Sequence, residues 1–143
     1  MKSLLLLSGP NLSLTGQRDP TVYGSSTLDE IVDRARQVAA AEGWKLEHLC
    51  AEAEGPLVEA VHGARSKQAA IIINPGALTH YSWSLADALA TFDGLIVEVH
   101  LSQPAGRESW RSRSVVSPVA RATISGLGAL GYELAVLAVA RMA

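Results

Sequence analysis

The segment Ala69–Ile73, closed by Asn74-Pro75-Gly76, constrains the fold more than any other stretch of this chain. Its three consecutive isoleucines leave no position for a solvent-facing side chain, so the strand they form has to be buried on both faces. Such strands belong to parallel sheets covered by helices on both sides. Short apolar runs recur at Leu4–Leu7, Lys45–Cys50, Leu95–His100 and Ala122–Ser125. Helical patterns lie between them. Thr27-Leu28-Asp29-Glu30 is a capping-box signature, followed by Leu28, Ile31, Val32, Ala35 and Val38 at helical spacing and by Gly43 as a stop. Further helices are expected from Glu54-Gly55-Pro56 onward, over Ser82–Phe92 and over Ala129–Met142.

Strands alternating with helices imply βαβ units. Five strands in 143 residues predict an α/β fold: a flavodoxin-like, doubly wound, five-stranded parallel sheet in a three-layer α/β/α arrangement. No repeat or linker interrupts the pattern, so residues 1–143 are expected to form one catalytic domain. Gly9–Gly24 is a long loop rich in Gly, Pro, Ser, Thr and Asn, which suggests a lid over about 11–24. The net charge of −2 comes from interspersed acids and bases. It offers no basic face for nucleic acid or a membrane surface. The N-terminal apolar run and the interrupted C-terminal one are too short for a signal peptide or a bilayer span. With Cys50 as the lone cysteine, no internal disulfide can form, and a cytoplasmic location is expected. Cys50 itself reads as a small packing residue rather than a nucleophile.

In a doubly wound sheet, ligands bind beyond the carboxyl ends of the strands. Unusual residues cluster there: Asn11, Arg18 and Tyr23 after the first strand, Asn74, Gly76 and His80 after the third, and Glu98, His100 and Ser102 at the end of the fourth. In Glu98-Val99-His100 the period of two puts both titratable groups on one face. A carboxylate there can hold the imidazole tautomer and favour its protonated form, as suits a general acid. The alternatives are a structural histidine at a strand end or a metal site built from His80, Asp87, Glu98 and His100, whose spacing fits no standard zinc pattern. Arg18 near Tyr23 could favour a phenolate base; a packed tyrosine in a solvated loop is the alternative. Arg107-Glu108-Ser109-Trp110-Arg111-Ser112-Arg113 reads either as surface or as a carboxylate- or hydroxyl-recognising run. Gly126-Leu127-Gly128-Ala129-Leu130-Gly131 imitates a dinucleotide fingerprint, but that motif also needs a following strand and an acidic residue about 20 positions on. The sequence reaches Ala143 first, so a tight turn is expected instead.

Several blocks occur together and in order: Gly9-Pro10-Asn11-Leu12, Arg18-Asp19-Pro20 with Tyr23-Gly24, Asn74-Pro75-Gly76-Ala77 with Thr79-His80, Asp87-Ala88, and Glu98-Val99-His100-Leu101-Ser102. Arg107-Glu108, Arg111, Ser114 and Gly126-Leu127-Gly128 with Gly131-Tyr132 extend the set. Jointly they resemble the type II 3-dehydroquinate dehydratases from residue 9 to residue 132. The resemblance implies anti elimination of water from 3-dehydroquinate to 3-dehydroshikimate through an enolate, without metal, cofactor or covalent intermediate. This step serves the shikimate route to aromatic amino acids or quinate breakdown. By the same resemblance Tyr23 is the phenolate base, Arg18 its lid partner, and Asn11 the holder of an enolate-stabilising water. His100, oriented by Glu98, is the acid. Asn74, Gly76, Ala77, Leu101 and Ser102 bind substrate around its carboxylate, and His80 and Arg111 its hydroxyls. Asp87 reaches in from a neighbouring subunit of a trimer within a dodecamer.

The chain also departs from the family's pattern. Ser13 and Thr15 stand where a second Asn and a second Leu are common, Gln103 replaces a common Asn, and Arg107 lacks a preceding histidine. Ala51-Glu52-Ala53-Glu54-Gly55 lacks a Ser-Asn start. The rival readings are a flavodoxin-like small-ligand binding module and an inactive oligomeric scaffold.

Overall fold

A computed structural model describes residues 1–143 as five parallel strands with helices on both faces. The strands are β1 (Lys2–Ser8), β2 (Trp44–Cys50), β3 (Ala70–Asn74), β4 (Leu95–His100) and β5 (Ala122–Ser125). Their order is β2-β1-β3-β4-β5, and every pairing is parallel. The expected flavodoxin-like sheet is therefore present, with its reversal of direction between β1 and β3.

Side-chain parity sorts the core into two halves. Leu4 and Leu6 of β1, Ile72 of β3, and Val97 and Val99 of β4 pack on one face. They meet Ile31, Val32 and Ala35 of helix α2 (Leu28–Ala41) and Ala135, Val136 and Val139 of helix α5 (Leu130–Met142). Leu5, Leu7, Ile71, Ile73 and Ile96 pack on the other face. Their partners are Leu57 and Val61 of α3 (Glu54–Ala64) and Leu85 and Leu89 of α4 (Trp83–Ala90). Burying both faces is what the isoleucine run demanded.

The capping box forms: the Thr27 hydroxyl accepts from Glu30 N–H, and the Glu30 carboxylate accepts from Thr27 N–H. The expected lid is more ordered than a plain loop. Asp19 caps a single helical turn, α1 (Pro20–Tyr23), in which proline takes the first helical position. A short 3₁₀ turn covers Leu12–Leu14, and Leu12 and Thr15 are buried. The loop after β4 is likewise broken into 3₁₀ turns at Pro104–Gly106 and Ser109–Ser112.

Candidate active site

The loops leaving β1 and β3 are pressed together at the switch point. Gly9 N–H donates to the Asn74 carbonyl at 2.8 Å. A Cβ on Gly9 would lie 2.5 Å from the Pro75 carbonyl oxygen, and one on Gly76, at φ +59°, 2.9 Å from that of Pro10. Only glycine allows this approach. It brings the first residues of the lid beside the end of β3.

One pocket of about 90 Å³ forms there. Asn11, Arg18 and Tyr23 line it from the lid, and Asn74, Gly76, Ala77 and His80 from the end of β3. His100, Leu101, Ser102 and Arg111 come from β4 and the loop after it. Two sequence candidates lie elsewhere. Glu98 is fully buried behind His100, and Asp87 is exposed on α4, beside Trp83, Arg113 and Pro118. The four residues weighed as metal ligands do not converge: His100 bonds Glu98, His80 bonds a carbonyl, and Asp87 lies apart. A larger depression, about 760 Å³, opens at the amino ends of the strands among Lys2, Ala69 and Leu95. It holds none of the candidate residues.

Tyr23 is the focus of positive charge. Its hydroxyl accepts from Arg18 Nη2 at 2.7 Å and from Arg107 Nη2 at 2.7 Å. The Arg18 guanidinium also stands 3.7 Å from the ring centroid. Two charge-assisted donors thus converge on one phenol oxygen. Arg107 was missed as a site residue. The sequence placed it in a basic run and in one of the resembling blocks without a role, and 84 residues separate it from Tyr23. Its second branch donates to Ser102 Oγ at 3.0 Å, so the serine keeps its own proton to donate elsewhere.

His100 Nε2 donates to Glu98 Oε2 at 2.5 Å. Burial works against the Glu98 charge. Hydrogen bonds from His100 and Thr79, with a further one from Ser117, outweigh it and hold the carboxyl below its usual range. An ionised Glu98 fixes the imidazole with its proton on Nε2, leaving Nδ1 without a partner in the chain. Thr79 and Ser117 are further supports that the sequence reading did not assign. His80 is held likewise, with Nδ1–H donating to the Arg113 carbonyl at 2.6 Å and its ring edge-on to Trp110. Arg111 lies over Trp110 and bonds Glu108 at 2.7 Å. That basic run is thus partly a frame for the pocket.

Asn74 is oriented at both ends. Its Oδ1 accepts from Gly76 N–H, and its Nδ2 donates to Tyr132 Oη at 2.9 Å. One amide hydrogen remains for a ligand. Tyr132 is buried in α5, and desolvation raises its pKa, so it stays a neutral phenol. Tyr132→Phe is expected to free the Asn74 amide and lower stability by about 1 kcal/mol, which thermal unfolding measures.

A model of the family described as dehydroquinase class II matches residues 2–140. The chain is 50% identical over 129 residues to a 3-dehydroquinate dehydratase of Herpetosiphon aurantiacus, covering 90% of each. It is 45% identical to a catabolic 3-dehydroquinase 2 of Aspergillus fumigatus, over 99% of this chain and 94% of that one. The crystal structure of the type II dehydroquinase from Propionibacterium acnes superposes with a TM-score of 0.95 at 38% identity, over 99% of this chain and 97% of that one. With a family match spanning almost every residue and a solved member sharing its fold, the chain belongs to the class II dehydroquinases.

Proposed function

We propose that this protein is a 3-dehydroquinate dehydratase, a hydro-lyase that removes water from 3-dehydroquinate to give 3-dehydroshikimate. The observation that carries the reading is the opposition of a tyrosine held by two guanidiniums to a histidine held by a buried carboxylate, in one pocket. Proton abstraction next to a ketone needs a base, stabilisation for the enolate and an acid for the departing hydroxyl.

In this reading Tyr23, as phenolate, takes the proton from the carbon beside the ketone, and the electron pair moves onto the ketone oxygen. Asn11, whose carboxamide has no partner in the chain, holds a water against that oxygen. The enolate then collapses, the C1–oxygen bond breaks, and protonated His100 delivers its Nδ1 proton to the leaving hydroxyl. Tyr23 returns its proton to solvent and His100 regains one, so the net products are dehydroshikimate and water. Arg18 and Arg107 balance the phenolate charge. The free proton of Ser102 and the spare amide hydrogen of Asn74 suit the substrate carboxylate, beside Gly76, Ala77 and Leu101. His80 and Arg111 suit its ring hydroxyls.

Asp87 is assigned to the pocket of a neighbouring subunit, in a trimer and a dodecamer of such trimers. Its exposure outside its own pocket, beside exposed Trp83, supports this. A cytoplasmic location fits the single free thiol.

Incubation with 3-dehydroquinate tests the activity, because the product is a conjugated enone that absorbs in the ultraviolet. Growth of that absorbance, unaffected by a chelator, is expected. A folded protein that produces none is not a dehydratase.

A further inference from the structure

The lid starts on the one non-glycine residue with a positive φ: Asn11, at φ 69° and ψ −2°. Asparagine tolerates this left-handed conformation better than most residues, but something has to hold it there. The holder is 41 positions away. Glu52, in the loop between β2 and α3, accepts from the Asn11 backbone N–H with Oε2 at 2.7 Å and from the Ser13 hydroxyl with Oε1 at 2.5 Å. One carboxylate thereby spans the turn from both sides. Leu12, between its two partners, is 3% exposed and plugged into the core, so the turn is fixed from below as well. The hydrogen bond from Ser13 and then that from Asn11 keep the Glu52 carboxyl below its ordinary range, so it is ionised at neutral pH. The Asn11 carboxamide makes no bond of its own and lines the pocket.

We propose that Glu52 is a positioning residue for the reaction, clamping the Asn11–Ser13 turn so that the Asn11 carboxamide is presented to the pocket. The proposal rests on the dehydratase reading above. Glu52 lines no part of the pocket and acts through Asn11 alone. Since Asn11 serves the enolate rather than the bound substrate, losing the clamp lowers kcat and leaves KM. Glutamine keeps one neutral acceptor and holds the turn partly; alanine releases it.

The test compares wild type, Glu52→Ala, Glu52→Gln, Asn11→Ala and the Glu52→Ala/Asn11→Ala double variant. It uses steady-state kinetics on 3-dehydroquinate and hydrogen exchange of the peptide over residues 9–15. Glu52→Ala is expected to lower kcat about tenfold with KM within about twofold, and Glu52→Gln to recover part of the loss. In the Asn11→Ala background, Glu52→Ala is expected to cost nothing further, because no carboxamide remains to be placed. Exchange over residues 9–15 is expected to quicken in Glu52→Ala. Equal losses with and without Asn11, or an unchanged kcat in the alanine variant, overturn the proposal. A wild type without turnover overturns the dehydratase reading instead. The clamp then stands or falls on exchange alone: quickened in Glu52→Ala supports it, unchanged overturns it.

Discussion

Tyr23→Phe is expected to lower kcat on 3-dehydroquinate by about 10³-fold, equivalent to about 4 kcal/mol of barrier, while KM changes little. The substitution removes one oxygen and keeps the ring. The Arg18 guanidinium can remain over that ring, 3.7 Å from its centroid, so this contact within the lid survives. What disappears is the atom on which Arg18 and Arg107 both converge at 2.7 Å. Neither guanidinium then has a phenol oxygen to meet, and in the proposed mechanism no nearby group can replace Tyr23: the pocket's remaining titratable side chains are His80, His100 and the arginines. Hydrogen exchange at the carbon beside the ketone gives a second readout. Substrate incubated in heavy water with Tyr23→Phe is expected to incorporate no deuterium, because the first proton is never removed. Turnover near the wild-type rate would assign the base elsewhere.

His100→Ala is expected to lower kcat by about 10²-fold. It interrupts the reaction one step later. With Tyr23 intact, the enolate still forms, but expulsion of hydroxide lacks its proton. Enolate and ketone should then interconvert, and deuterium should enter recovered substrate faster than product appears. That exchange separates the two roles: Tyr23→Phe blocks it and His100→Ala permits it. The alanine variant should also be less stable. Glu98 is fully buried and loses one of its close donors, though Thr79 and Ser117 still bond it. A fall in melting temperature is therefore expected, and activity per folded molecule is the quantity to compare. If His100→Ala blocks exchange as completely as Tyr23→Phe, His100 is required for the first step, and the division of roles between the two residues is overturned.

Most of the fold could be read directly from the chain. The isoleucine run of β3, the capping box at Thr27 and the glycine stops all act within a few residues, where periodicity and backbone sterics decide the outcome. The Glu98–His100 pair was legible for the same reason, since two residues apart on a strand means the same face. The lid was less so. Its polar composition pointed to a loop, but the Asp19 cap with Pro20 builds a helical turn that delivers Tyr23 to the pocket.

The sequence by itself determined the alternating elements, the doubly wound class and which side chains end each strand. These depend on local spacing, and local spacing is written in the order of residues. Only the tertiary structure decided that Arg107 meets Tyr23, that Tyr132 orients Asn74 across 58 positions, and that Glu52 holds the start of the lid. Those contacts follow from strand order and loop path. Once β1 and β3 are neighbours and two glycines let their loops touch, residues far apart in the chain fall within hydrogen-bonding reach. No periodicity encodes such a meeting, because it is set by the packing of the whole sheet.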